Sequence, residues 1–110
     1  REAPPGRAMT PRLADIIAAV ATVEGVPVAA LTGRCCTRRL AWPRQRGMYV
    51  ARRLRPEVSW PRLGRAFHRH HTTVMHGARA VTTRLAAGDP VEARRVAAIL
   101  AALQPPAVAP

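Results

Sequence analysis

Residues 59–81 have the sequence SWPRLGRAFHRHHTTVMHGARAV, which predicts a short helix, a tight turn and a longer helix. Ser59 is a favourable N-cap, and Pro61 suits the first turn of the short helix. In the longer helix, from His71 to about Ala87, apolar residues recur at helical spacing and predict one buried stripe: Val74, Ala78, Val81 and Leu85. This layout is typical of a helix-turn-helix, whose second helix enters the major groove of DNA.

Outward from this segment, the apolar spacing and the capping residues predict four more helices. The fold class is therefore all-α: a small six-helix domain with a basic loop, TGRCCTRRLAW at 32–42, ahead of the helix-turn-helix. The first helix has Thr10 as N-cap and Pro11 as first residue, and it ends at Gly25. The second helix is predicted from Pro27 to Leu31, and the third from Pro43 to about Leu54. The sixth helix begins at a capping box formed by Asp89, Pro90 and Glu92.

Proline-rich segments flank this predicted domain of residues 10–103. We expect residues 1–9 to be a disordered tail and residues 104–110 to be a linker, beyond which a further domain would follow. The absence of an initial Met suggests a fragment or a processed product. There is no signal-peptide pattern and no apolar run near the roughly 18 residues of a membrane span. With Cys35 and Cys36 as the only cysteines, these features predict a reduced, cytoplasmic protein associated with the nucleoid.

The charge of the chain is strongly positive, at +12, and all eighteen basic residues are arginine. A GC-rich genome explains the choice of Arg over Lys, but not the excess of positive charge. Eleven of the arginines lie between Arg34 and Arg69, where Glu57 is the only acidic residue. A solvated surface normally mixes both signs, so a one-sided block of this kind indicates a polyanionic partner.

Three segments carry a resemblance to a known family: AWPRQRGMYVARRL at 41–54, SWPRLGRAF at 59–67 and HTTVMHGARAV at 71–81. They are similar, in order and at similar spacing, to three segments of the C-terminal DNA-binding domain, domain IV, of the bacterial replication initiator DnaA. The first family segment is centred on Pro-Arg-Gln. The second reads Ser-Leu-Pro-Glu-Ile-Gly-x-x-Phe, and the third reads His-Thr-Thr-Val-x-His-Ala. The resemblance runs from Leu13 to Leu103 and implies a helical domain that binds double-stranded DNA.

The resemblance also implies which residues contact DNA. The side chains from His71 to His76 match residues at the major groove, and threonine hydroxyls and methyls there suit base edges and thymine methyl groups. Arg44 and Gln45 match contacts at the start of the third helix, where the helix dipole favours a phosphate, and Pro61 matches a residue that abuts the DNA. With the basic loop and the turn, the candidate set is Arg34, Arg38, Arg39, Arg44, Gln45, Pro61, Arg69, His70, His71, Thr72, Thr73 and His76.

Two departures from the family pattern bear on which DNA sequence is bound. The family's minor-groove arginine aligns with Cys36, which leaves Arg34 or Arg38 as the replacement. The family's Gly-Gly-Arg-Asp turn is represented by His68-Arg69-His70, one residue shorter, so His70 stands where the family has an Asp that caps the helix and contacts a base. Because histidine is a poor cap with one acceptor, we expect a preferred DNA site that differs from the initiator's usual box, or loose sequence preference.

Other kinds of site fit the sequence less well than DNA binding does. The four histidines and two cysteines include zinc-ligand types, but their spacing fits no finger pattern, so we expect no metal and no cofactor. The six acidic residues are scattered and no Walker A motif is present, which predicts that the chain is not an enzyme. RNA or anionic-membrane binding fits the charge, but Trp42 and Trp60 precede prolines, where packing is expected rather than base stacking.

Two biological roles follow from these features. The chain would be the DNA-binding domain of a bacterial transcriptional regulator, with RNA polymerase or another protein engaged through a neighbouring domain. Alternatively, it would be the DNA-binding domain of a replication initiator or of a regulator of replication initiation. The Pro-rich linker after the domain favours the regulator, because domain IV lies at the C-terminus of an initiator. Gene transfer agent regulators of alphaproteobacteria contain a similar domain followed by another, and they are the leading example.

Overall fold

The computed structural model describes residues 10–34 and 38–104, apart from the side chain of Arg38. These residues form six α-helices, which confirms the predicted all-α domain, and a 3₁₀ turn, Arg38–Leu40, precedes the third. The helices are α1 (Leu13–Glu24), α2 (Val28–Thr32), α3 (Ala41–Leu54), α4 (Trp60–Phe67), α5 (His71–Ala86) and α6 (Pro90–Leu103). Residues 1–9, 35–37 and 105–110 lie outside the described part, so the tail, most of the linker and the two cysteines stay predictions.

The long helix α3 lies at the centre of the domain. It packs against α1 on one side and α5 on the other, while α4 packs against α5 and α6 against α1. The core side chains come from all six helices, and burying each large one contributes roughly 1.5–3 kcal/mol to folding. The fully buried ones include Ile16, Val20, Leu31, Val50, Leu63, Phe67, Val74, Val81 and Ile99. Leu85, predicted for the α5 stripe, is only partly buried.

The helix ends follow the local signals at three of the predicted positions. Gly25 closes α1 at φ +70°, and Gly88 lies beyond α5 at φ +82°, in the left-handed region that glycine adopts without strain. The Ser59 side chain caps α4 by accepting a hydrogen bond from the backbone N–H of Arg62 at 3.3 Å. The start of the helix-turn-helix is therefore encoded locally.

Three predicted helix starts are wrong. The N-cap of α1 is Arg12 rather than Thr10, because Asp15 accepts the Arg12 backbone N–H and so satisfies the first turn two residues later. Helix α2 begins at Val28, one residue after Pro27, which is its N-cap. Helix α3 begins at Ala41, ahead of Pro43, since a proline anywhere in the first turn removes no helical hydrogen bond.

The capping box predicted for α6 is also wrong, although half of it forms. Asp89 caps the helix by accepting from the backbone N–H groups of Val91 and Glu92, both at 3.0 Å. The Glu92 side chain does not return to the cap. It points into the domain, is fully buried, and accepts hydrogen bonds from Arg46 at 2.9 and 3.1 Å. A buried carboxylate needs charged donors to offset its loss of water, and the Arg46 guanidinium supplies two N–H groups for it.

A buried ionic cluster joins α1, α3, α5 and α6. Arg46 donates to Glu92 and, through Nη1, to Glu24 at 2.9 Å, while Arg84 donates to Glu92 at 3.3 Å. The Arg84 guanidinium also lies 3.7 Å from the ring centroid of Trp42. The expectation that the acidic residues are scattered is thus wrong for Glu24 and Glu92, which converge on one arginine. Both are buried and ion-paired, so the cluster ties four helices together.

The described helices can be compared in length and apolar character with a membrane-spanning segment. None of them combines the length and the apolar character that a bilayer-crossing segment needs.

Candidate nucleic-acid interface

The turn between α4 and α5 is tight because His68 adopts a left-handed conformation, at φ 54°. The backbone N–H groups of His68 and Arg69 donate to the carbonyls of Arg65 and Gly64, at 3.1 and 2.8 Å, and close α4. A Cβ at Gly64 would lie 2.5 Å from the carbonyl oxygen of Arg69 and 3.1 Å from the backbone nitrogen of His71. Only glycine at this position allows the two helices to meet so closely.

His70 caps α5, contrary to the expectation that it is a poor cap. Its Nδ1 accepts a hydrogen bond from the backbone N–H of Thr72 at 3.2 Å and lies 2.8 Å from the Thr72 hydroxyl. The His70 ring also lies against that of His71, with centroids 4.3 Å apart. Neutral imidazole offers one acceptor nitrogen, and this geometry uses it where the family has a carboxylate.

The outward face of α5 carries polar side chains that point to solvent. Thr72, Thr73 and His76 are exposed, whereas His71 is half-buried. Arg79 and Thr83 are exposed as well, and they follow Thr72 and His76 at helical spacing on the same face. Arg79 and Thr83 are not among the twelve candidates, although the spacing 72, 76, 79 and 83 indicates a shared helix face.

A cleft between α3 and α5, of about 270 Å³, collects five of the twelve candidate residues. We refer to it as the α3–α5 cleft. Its lining consists of Ala41, Arg44, Gln45, Met48, Arg69, Thr73, His76 and Gly77. The two helices approach each other closely here: a Cβ on Gly77 would lie 2.5 Å from the sulfur of Met48. The start of α3, the turn and the start of α5 thus form one surface.

Two arginines of this cleft also brace the fold. Arg44 is only 7% exposed, and its Nε donates to the carbonyl of Ala30 in α2 at 3.1 Å. Arg69 donates to the carbonyl of Phe67 at 2.9 Å and to that of Gly33, at the start of the basic loop, at 2.6 Å. Their charges therefore reach the cleft from fixed positions.

Gln45, between these arginines and α5, has a buried side-chain oxygen with no hydrogen-bond partner among the described residues. An unsatisfied buried acceptor at the base of a polar cleft is costly unless a ligand or water supplies a donor. Donor groups at a DNA base edge are one such source.

None of the remaining candidates whose side chains the structure describes lines the cleft. Arg34, Arg39 and Pro61 are exposed, and the Arg38 side chain lies outside the described residues. Arg39 lines a separate cavity of about 670 Å³ on another side of α3, together with Trp42 and Arg46. The alignment of Cys36 with the family's minor-groove arginine also falls outside the described residues.

The acidic side chains of the described part are all engaged within the fold. Glu57, the acidic residue nearest the helix-turn-helix, is hydrogen-bonded by Arg55, which holds the pKa of its carboxyl below its usual value. Asp15 pairs with Arg12, and the remaining three carboxylates belong to the α6 cap and the buried cluster. The exposed arginines consequently dominate the electrostatic potential around α4 and α5, which attracts a polyanion.

The histidines do not assemble a metal site in the described ranges. No group of three or more His, Cys, Asp or Glu side chains there is placed to hold a metal ion. Cys35 and Cys36, the thiols of the zinc alternative, fall outside those ranges.

Comparison with protein-family models agrees with this geometry. Residues 13–81 match the model described as the bacterial DnaA protein helix-turn-helix. The match begins at the first residue of α1 and extends into α5, so it includes the central helix, the basic loop and the complete turn.

Proposed function

The chain belongs to the bacterial DnaA helix-turn-helix family, and on that premise we propose that it binds double-stranded DNA sequence-specifically as the DNA-binding domain of a bacterial transcriptional regulator. Membership of this family indicates DNA binding. In this proposal α5 lies in the major groove, and arginines around it contact the phosphates. The chain itself has no catalytic role, and RNA polymerase or another protein is engaged elsewhere in the full protein.

The observation that carries the proposal is the placement of α5. Its polar face, with Thr72, Thr73 and His76, is exposed, while Val74 and Val81 anchor the opposite face in the core. A helix held in this way presents a rigid polar ridge, and the major groove is about 12 Å wide, enough to admit it. The arginine-lined cleft beside that ridge supplies charge for the flanking backbone.

In this proposal, different residues contact the bases and the phosphates. The threonine hydroxyls and methyls of α5 would discriminate base pairs, whereas exposed arginines such as Arg39 would bind all sequences alike. His70 replaces the carboxylate of the family turn, so the preferred site would differ from the initiator's box. A preferred site unlike the initiator's box would support a regulator over the alternative, a replication initiator or a regulator of replication initiation.

The test is a binding-site selection followed by fluorescence anisotropy on selected and random duplexes. Thr72→Ala with Thr73→Ala should weaken binding to the selected site by about 1–3 kcal/mol and leave random DNA nearly unchanged. Arg39→Ala should weaken both duplexes equally. Thr22→Ala, an exposed helical threonine on α1, is the matched control and should have no effect.

Two results would contradict the proposal. Equal effects of the threonine and Arg39 variants on both duplexes would remove the division of labour. Selection of the unaltered initiator box would support the replication role instead. Mapping the intact protein on its own genome then tests the cytoplasmic, nucleoid-associated location, since a regulator would occupy promoters and an initiator would occupy the origin.

A further inference from the structure

A second concavity, of about 580 Å³, lies between α3, α4 and α5. Its lining consists of Tyr49, Arg52, Arg53, Trp60, Met75, Ala78, Arg79 and Thr82, and we refer to it as the Tyr49 groove. Met75, Ala78 and Thr82 point to the opposite side of α5 from the residues of the α3–α5 cleft, because successive residues are rotated by about 100°. Arg79 lies at the edge that the groove shares with the outward face of α5. The two surfaces are therefore distinct.

The floor of the Tyr49 groove is apolar. Tyr49, Trp60 and Met75 are half-buried and Ala78 is buried, so the groove already withdraws large apolar groups part of the way from water. A volume of this size lies in the range of natural binding pockets, which are mostly apolar with a few polar groups at fixed positions. Covering the exposed remainder of these side chains with an apolar group is favourable at roughly 25 cal/mol per Å².

The rim of the groove is positively charged. The Arg52 guanidinium lies 4.3 Å from the ring centroid of Trp60 and donates to the carbonyl of Val58 at 2.8 Å. Arg53 donates to the Tyr49 hydroxyl at 3.2 Å. These partners are neutral, so they hold the guanidinium groups in place without cancelling their charge. No acidic side chain of the described residues lines the groove, and Arg79 adds a third positive charge.

We propose that the Tyr49 groove binds an acidic segment of a partner protein. The segment places one large apolar side chain on the Tyr49, Trp60 and Met75 floor, and its carboxylates face Arg53 and Arg79. The charge on the rim complements such a segment, and arginine and aromatic residues are the types enriched where binding energy concentrates at protein interfaces. Duplex DNA fits less well, because its phosphates would pair with the rim but offer nothing apolar for the floor.

The two tryptophans of the chain make a direct test possible, since Trp60 lines the groove and Trp42 lies on another side of α3. The probe is a synthetic peptide of about twelve residues with Asp and Glu around a central Leu-Phe-Leu, titrated into ¹⁵N-labelled protein. We expect the indole N–H signal of Trp60 to shift while that of Trp42 stays in place, with Trp42→Phe assigning the two signals. Equal shifts at both indoles, or none, would overturn the proposal.

A pair of neighbouring substitutions separates this groove from the DNA-binding face. Thr82 and Thr83 are both exposed on α5, but only Thr82 lines the groove. Thr82→Glu should weaken peptide binding roughly tenfold through like-charge repulsion and lack of space, and affect DNA affinity less. Thr83→Glu, with the same change of charge on the outward face, should do the reverse. Equal effects of the two variants on the peptide would show that its attraction is only a general one between opposite charges.

A second peptide, in which Gly and Ser replace the Leu-Phe-Leu, tests the apolar floor. It should bind roughly tenfold more weakly than the first, because the rim alone offers only exposed ion pairs. If the two peptides bind equally, the floor contributes nothing and the proposal fails. Two results together would assign the groove to the DNA interface instead. Duplex DNA would displace the first peptide from the Thr83→Glu variant as well as from the unaltered protein, and DNA alone would reproduce the shift of the Trp60 signal.

Discussion

Replacing Glu92 by alanine should strongly destabilise the domain while leaving the residues proposed to contact DNA untouched. The carboxylate is fully buried, accepts two hydrogen bonds from Arg46 and one from Arg84, and holds α6 against α3 and α5. Removing one partner of a buried ion pair costs about 3–5 kcal/mol. Glu24 continues to neutralise Arg46, and Arg84 keeps its contact with Trp42, so we expect the lower end, about 3 kcal/mol.

The measurement is urea denaturation followed by circular dichroism, with a thermal melt beside it. For a domain of this size, 3 kcal/mol corresponds to a fall in Tm of roughly 12–24 °C. The matched control is Glu57→Ala, which removes an exposed glutamate paired with Arg55 and should leave the free energy of unfolding nearly unchanged, because exposed ion pairs contribute little to stability. A loss below about 1 kcal/mol for Glu92→Ala, or equal losses for both variants, would refute the assignment of the cluster as a clamp between helices.

Three further outcomes are expected. His70→Asp should retain the cap on the Thr72 N–H and shift the selected DNA site towards the initiator's box, whereas an unchanged site would show that this position does not contact bases. Gly64→Ala should cost about 2–3 kcal/mol in urea denaturation, because the added Cβ meets the Arg69 carbonyl; a cost below 0.5 kcal/mol, on the order of a surface change, would mean that the turn relaxes freely. The logarithm of the DNA association constant should fall with the logarithm of salt concentration at a slope near about −5 if about six phosphates are neutralised, and a slope near zero would rule out a phosphate-based interface.

The buried cluster changes the meaning of the arginine block. Arg44 and Arg46 belong to the block between Arg34 and Arg69, yet both are buried, and Arg46 is neutralised by two carboxylates. Part of the positive charge that indicated a polyanionic partner therefore stabilises the fold. The charge available to a ligand comes from the exposed arginines, such as Arg39 and Arg79, and from Arg44 and Arg69, which line the α3–α5 cleft.

Helix α5 illustrates which parts of the site were accessible from sequence. Its apolar stripe, its start at His71 and its exposed threonines follow from the spacing of residues along one helix, and the structure agrees with them. The capping role of His70 did not follow, because it depends on a ring orientation that only the folded turn specifies. The burial of Arg44 depends likewise on the carbonyl of Ala30 in α2.

The sequence alone was sufficient to predict the number of helices, helix boundaries such as Gly25 and Ser59, and the family resemblance. Caps and apolar periodicity depend on residues only a few positions apart, so they can be read without the tertiary structure. Three features required the packed helices: the ion pairs of Arg46 with Glu24 and Glu92, the α3–α5 cleft and the separate Tyr49 groove. Each of these brings together side chains distant in sequence, and a charge leaves water only where another element supplies its partner.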